Sequence, residues 1–361
     1  MFFIFIITLL LYLVACGYLC WRVCRTFHSR VARYIVVSSF VLLSLLFFIS
    51  KLISGGAPLW VNKIVYIVGT GWLVFVLYGI LLLTVTDIAK LLSRRTLDEK
   101  RHTSLSQLAM IAVLDAMILF VGYEQAITPS VTTYHMGDKD MPRIAVVSDL
   151  HLGYAVGESD VQCLVDKLEE LEPDILIIAG DLLDGDIAPV VAWDLGEPLR
   201  DYKPKMGKYS VMGNHDYMSN PDVAKNYAQS LGIELLCDTF VTVGRYSIVG
   251  RDDLTSMWRR GKRTELKNLV SNDTSRIIVV DHQPLRTLAE YERDSVFLYI
   301  SGHTHGGQVW PINMLTRMVY EMDYGMCKIG EGDHYAIVTS GYGTWGPRVR
   351  LGTKSEIVII E

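Results

Sequence analysis

Residues 1–21 carry no charged side chain. About 20 apolar residues suffice to cross a bilayer as a helix, and inside lipid each backbone N–H and C=O must be satisfied within the segment. That leaves little choice of fold for this part of the chain. A cleaved leader is the competing reading, but the run lacks a positive start and has too long an apolar core, and more apolar runs follow. The second run covers 34–49, bracketed by Arg33 and Lys51. The third covers 64–86, with Tyr66 and Trp72 as expected interfacial anchors. The fourth, 105–121, is weakened by Gln107 and Asp115 and also reads as an amphipathic helix lying on the membrane. Four spans are expected, with Asp115 turned into the bundle to hydrogen-bond between helices.

Hydrophobic residues make up 50% of the 361, and the excess is concentrated in 1–123. The expected organisation is therefore a membrane domain over 1–123, a polar linker over 124–141 and a second domain over 142–361. Basic residues set orientation. Arg22, Arg25, Arg30 and Arg33 follow the first span, and Lys90, Arg94, Arg95, Lys100 and Arg101 follow the third. Only Lys51 and Lys63 lie between spans two and three. The richer loops are expected on the cytoplasmic side of the cell membrane, which puts the second domain on the extracytoplasmic side. No basic block with interleaved aromatics points to nucleic acid. Six cysteines without a CxxC spacing indicate neither a zinc cluster nor a redox pair.

In the second domain, short β-branched apolar runs end again and again in the same residue types. Residues 143–147 lead to Asp149 and His151, and 174–179 to Gly180, Asp181 and Asp184. Residues 208–212 lead to Asn214, His215 and Asp216, and 276–280 to Asp281 and His282. Residues 296–300 lead to Gly302, His303, Thr304 and His305. Residues two apart on an extended chain point the same way. The run 159–171 has helical spacing and Pro173 stops it, so strand, helix, strand gives a parallel βαβ unit. In such sheets, sites form beyond the carboxyl ends of the strands. The Gly250-Arg251-Asp252-Asp253 stretch reads as a turn without chemistry. The tail strands 335–340 and 356–360 are expected to close a second sheet around the glycine-rich stretch 341–346. Each strand end alone is as consistent with an ordinary turn. Five together, all delivering Asp, Asn or His at one edge, point to a metal site, because carboxylate plus imidazole suits hard and borderline divalent ions.

This set of motifs resembles the calcineurin-like metallophosphoesterase family over about 143–361. The strings 180–185 and 302–309 are similar to its membrane-associated bacterial branch, the YkuE/YaeI-like proteins and relatives that cleave UDP-diacylglucosamine. The resemblance implies a two-sheet β-sandwich flanked by helices, behind a multi-span helical membrane domain. It also implies two divalent ions, Mn, Fe, Zn, Ni or Co. One would be held by Asp149, His151, Asp181 and His305, the other by Asp181, Asn214, His282 and His303. Attack would come from a hydroxide bridging the two ions. His215 would be the acid or phosphate-orienting group, and Asp216 a carboxylate that orients it. Asp184 is a further candidate beside the ions, or only a turn cap. Arg348 and Arg350 are candidates to meet a substrate phosphate, with Arg350 the better match to a family position.

The function expected is a membrane-anchored phosphoesterase acting on a phosphate ester or pyrophosphate, lipid-linked or envelope-related, with Trp310, Tyr342 and Trp345 placed to touch lipid. A general phosphodiesterase of soluble esters, with the helices as anchor only, is the alternative. A non-catalytic membrane receptor or scaffold is a third, opposed by the complete ligand set.

Overall fold

Four helices take up the apolar part of the chain: α1 (Phe2–Cys24), α2 (Arg30–Ile53), α3 (Leu59–Leu92) and α4 (Leu105–Ile127). Each is long and apolar enough to cross a membrane, the fourth included. The computed structural model describes residues 2–92, 104–138, 140–218, 220–269, 276–288 and 296–361. The chain divides into two compact units, Met1–Tyr123 with Gly346–Arg348, and Glu124–Trp345 with Val349–Glu361. In the helical unit, α3 has 34 residues. At 1.5 Å per residue it exceeds the ~30 Å hydrocarbon layer. Arg22 grips Asp87 with both terminal guanidinium nitrogens, Nη1 at 2.5 Å and Nη2 at 2.9 Å. Tyr66 and Trp72 are not the interfacial anchors expected. Tyr66 is buried, and Trp72 packs edge-on against Phe40 at 5.1 Å and donates to Ser44. Asp115 is turned inward and fully buried, but neither of its oxygens hydrogen-bonds a described residue.

The second unit is built on two six-stranded sheets. The first has the order β1 (Ser130–Tyr134), β12 (Glu356–Ile360), β2 (Ile144–Val147), β3 (Ile175–Ile178), β4 (Lys208–Ser210), β5 (Glu234–Leu235). The second runs β10 (Gly325–Lys328), β11 (Tyr335–Val338), β9 (Val296–Ser301), β8 (Arg276–Val280), β7 (Tyr246–Gly250), β6 (Thr239–Val243). Strands β2 to β5 are mutually parallel, as are β7, β8, β9 and β11, so in each sheet the carboxyl ends share one edge.

Alternation along each strand explains the layers. Ile144, Val146, Ile175 and Ile177 point between the sheets, where Ile248, Ile278, Leu298 and Ile300 meet them. Ala145, Val147, Leu176 and Ile178 point outward, under Val161, Leu164 and Leu168 of α5 (Glu158–Leu171) and Tyr227 of α6 (Pro221–Ser230). Burial on both faces is why these strands read as unbroken apolar runs rather than alternating ones. Each buried Val, Leu or Ile among them contributes about 1.5–3 kcal/mol. The outer face of the second sheet is covered by Leu266, Leu269 and Met322 rather than by a long helix among the described residues.

Two sequence expectations change. Residues 130–134, expected within a linker, form the edge strand β1, which lies parallel to β12 and bonds to it from Ser130 to Tyr134. Strand β12, expected to close the second sheet, instead joins the first, between β1 and β2. Composition does not reveal which sheet a strand belongs to when both faces of both sheets are buried.

Candidate metal centre and active site

The parallel strands deliver their carboxyl ends to one place. Asp149 and His151 follow β2, Asp181 and Asp184 follow β3, Asn214 and His215 follow β4, His282 follows β8, and His303 and His305 follow β9. Asp149, His151, Asp181, His282 and His305 are buried, while Asn214, His215 and His303 are half-buried. Reaching inward from a strand end needs unusual backbone. Asp149, His151, Asp181, His303 and His305 all adopt left-handed φ between 49° and 69°. Such a conformation costs a non-glycine residue about 1–3 kcal/mol and persists where the surrounding structure dictates it. Close approach also needs missing side chains. A Cβ on Gly213 would collide with the Asp181 carboxylate, and one on Gly302 with Ser148 and Asp149.

The side chains converge in two places that share Asp181. On one side, His151 Nε2 and His305 Nε2 lie 3.1 Å apart. Asp149 Oδ1 is 3.3 Å from His305 Nε2 and 3.8 Å from His151 Nε2, and makes no hydrogen bond. On the other, His282 Nε2 lies 3.1 Å from Asp181 Oδ2 and 3.2 Å from Asn214 Oδ1. His282 Nδ1 sits 2.8 Å from the Ala179 carbonyl, which takes its N–H and leaves Nε2 as a lone pair. Three acceptors then face one another, a conflict that only a cation or a second proton on His282 relieves. His151 Nε2 is 3.8 Å from Asp181 Oδ2, which links the two halves. Three groups could each hold a metal ion: Asp149, His151 and His305; His151, Asp181 and His215; Asp181, His282 and His303.

The electrostatics match that use. Burial alone would raise the Asp149 and Asp181 carboxyls, but His305 beside the first and His282 beside the second hold both below the usual range. Burial drives His305 well below an ordinary imidazole, and burial with His282 takes His303 down to about 4. Ionised carboxylates and neutral imidazoles are the forms that bind cations. His151 and His282 go the other way. For His151, burial is outweighed by Asp184, Asp181 and Asp149. Burial would lower His282 too, but Asp181 raises it well above the usual value.

His215 stands with His151 and Asp181 in one of the three groups. Its ring meets His151 edge-on at 4.7 Å, and its backbone N–H donates to Asp181 Oδ1 at 2.7 Å. Burial and His151 hold the imidazole below its usual range. The carboxylate facing it is Asp184, with Oδ1 3.7 Å from His215 Nδ1 and 3.6 Å from His151 Nδ1. Asp216, expected in that place, turns away and accepts the N–H groups of Gly213, Leu183 and Leu182. It ties the β3 and β4 ends together, and burial first, then Asp181, pushes its carboxyl up to about 7. Arg350 is likewise not exposed to a substrate. It is fully buried, and its Nη2 donates to the Ser340, Gly341 and Gly343 carbonyls at 2.6–2.9 Å. Burial lowers it to about 10. It holds the 341–346 loop.

Two groups escaped sequence reading. Asp253 is fully buried, with both oxygens accepting from Gln283 Nε2 at 2.9 and 3.2 Å, next to His282. A pair of acids directly after a strand end was the available signal, the same one that marks the other strand ends. Gln308 exchanges two hydrogen bonds with the Trp345 backbone, each 3.0 Å, fastening the 303–308 turn to the 341–346 loop. Trp345 then lies edge-on to His215 at 6.0 Å, half exposed at the mouth of the site.

Residues 142–307 match the profile of the family described as "Calcineurin-like phosphoesterase". The "Transmembrane protein with metallophosphoesterase domain" of Danio rerio is 31% identical over 297 residues, 76% of this chain and 67% of that protein. The chain belongs to the calcineurin-like metallophosphoesterases. An uncharacterized metallophosphoesterase of Aquifex aeolicus is 31% identical over 60% of this chain and 84% of its own length. Another, from Campylobacter jejuni, is 30% identical over 69% and 68%. This metallophosphoesterase is therefore a metal-dependent phosphoester hydrolase with Asp and His side chains positioned for metal ions.

Proposed function

We propose that this protein hydrolyses a phosphate ester or pyrophosphate presented at a membrane, with a lipid-linked or envelope substrate as the class that best fits its build. Asp149, His151, Asp181 and His305 would hold one divalent ion, and Asp181, Asn214, His282 and His303 a second. Such a pair supplies a water of lowered pKa and a clamp on phosphoryl oxygens. Asp181 belongs to both sets because a carboxylate has two oxygens. His215 packs against His151 and donates to the substrate, either to an equatorial phosphoryl oxygen or to the departing oxygen. Asp184, 3.7 Å from its Nδ1, orients the ring. Trp345 shields one side from water. No side chain need become covalently attached.

The observation that carries this reading is Asp181, shared by two of the three Asp/His groups, with His215 in one of them and donating its backbone N–H to Asp181. The test is a metal panel on the purified full chain, with a lipid-linked pyrophosphate and a soluble chromogenic phosphodiester as substrates. Hydrolysis of the lipid-linked substrate, lost in Asp181→Ala and His303→Ala with the fold intact, is the expected result. Undiminished activity in both variants refutes the site, and turnover of the soluble ester alone refutes the lipid-linked class. The basic loops after the first and third spans support an orientation with the catalytic unit outside the cytoplasm. A C-terminal reporter that is active only in the cytoplasm should stay silent, and a signal from it would reverse that orientation.

A further inference from the structure

Helix α7 (Ile312–Val319) is built the wrong way round for a surface helix of a water-soluble domain. Normally the apolar stripe faces the core and the polar face meets water. Here Ile312, Met314, Leu315, Met318 and Val319 are all exposed, Met318 to 81%, and no residue of the helix is buried. The polar side attaches it. Thr316 donates to Asp323 at 2.7 Å, and Asn313 and Thr316 are the less exposed positions. At 100° per residue, the five apolar residues fall on one continuous face opposite Thr316 and Asn313. Half-exposed Trp310 extends the patch, and Arg317 lies at its polar border. Among the described residues nothing covers it.

The fold places this face beside the point where the chain arrives from its last span. Helix α4 ends at Ile127, and β1 begins at Ser130. Two intervening residues reach no more than about 10 Å. Ser130 N–H donates to the Ser355 carbonyl, and Ser355 Oγ donates to the Tyr342 carbonyl in the glycine-rich loop of the site. Glu356, beside Ser130 in the register, accepts from Tyr324, just past α7. Trp310, just before α7, donates its N–H to Leu351. Tether, catalytic loops and α7 thus share one edge of the sandwich.

We infer that α7, with Trp310, docks in the plane of the lipid bilayer and holds the mouth of the site against the membrane surface. The apolar face would sink about 5–10 Å into the boundary between headgroups and acyl chains, with Arg317 among the headgroups. The inference rests on the membrane-anchored reading above, and not on the substrate being lipid-linked.

Photo-crosslinking tests it apart from activity. The full chain is placed in vesicles of phosphatidylethanolamine and phosphatidylglycerol, with Met318→benzoylphenylalanine in one preparation and Glu170→benzoylphenylalanine, on exposed α5, in another. After irradiation, phospholipid adducts at position 318 should exceed those at 170 by about tenfold, the ratio a 1.4 kcal/mol preference gives. Equal adducts, no adduct, or a cross-link to a second copy of the chain would overturn the docking. A second arm compares Met314→Glu/Leu315→Glu/Met318→Glu with the parent. KM for a bilayer-embedded phosphoester should rise about tenfold while kcat/KM for a soluble ester stays level, and equal changes on both would count against docking. Lipid adducts without turnover of any lipid-linked ester would uphold the docking surface and remove the lipid-linked reading of function.

Discussion

Asp115 in the helical unit and Asp181 on the catalytic edge are both buried aspartates, and they differ only in company. Asp181 has His282 at 3.1 Å, His151 at 3.8 Å and the His215 N–H at 2.7 Å. Asp115 is as deeply buried, yet neither oxygen finds a hydrogen bond among the described residues. Burial by itself therefore does not mark chemistry. What marks it is several lone pairs aimed at one point, held there by backbone that is unfavourable anywhere else. Left-handed φ occurs at five of the seven expected ligands, though Glu172, Asp194 and Asp238 share it away from them, and the helical unit has no non-glycine positive φ among its described residues.

The comparison can be broken most directly at the shared carboxylate. Asp181→Ala should lower kcat by about 10³-fold or more, since it removes a group from both clusters. Circular dichroism should stay native. His215→Ala should cost about 10²–10⁴-fold in kcat, the usual worth of a positioned proton donor, while metal content is retained. Metal loss in that variant would make His215 a ligand instead. Asp184→Asn should cost about 10–100-fold, and Asp216→Asn should alter thermal stability more than turnover, because its partners are backbone amides. The reverse ranking would restore Asp216 as the orienting group. At the small end, Asp115→Asn should leave hydrolysis within about twofold, as it shares no partner with the site. A large loss there would show that the helical unit takes part in the chemistry.

What the sequence revealed follows a physical division. Apolar runs bounded by charge announced the four long helices, because lipid imposes length and apolarity on each segment separately. The strand ends announced the catalytic edge, because a parallel sheet places all its carboxyl ends together. What stayed hidden depends on partners distant in the chain. Whether Asp184 or Asp216 faces His215 is decided by side-chain direction three and two residues beyond the ligands. The burial of Arg350 depends on three carbonyls of a loop, and the placement of β12 on two sheets equally apolar on both faces. The outward apolar face of α7 was foreshadowed only by the expectation that Trp310, Tyr342 and Trp345 touch lipid, of which Tyr342 is buried, because an eight-residue amphipathic pattern does not say which side faces the core.

Metal content and hydrolysis of the purified full chain, measured together before and after chelation, test the central claim most directly. Two divalent ions per chain are expected, with loss of phosphoester hydrolysis when they are removed, recovery when they are returned, and fewer ions in Asp181→Ala. Full hydrolysis by a chain stripped of metal, or an Asp181→Ala variant that keeps both ions and full activity, would contradict it.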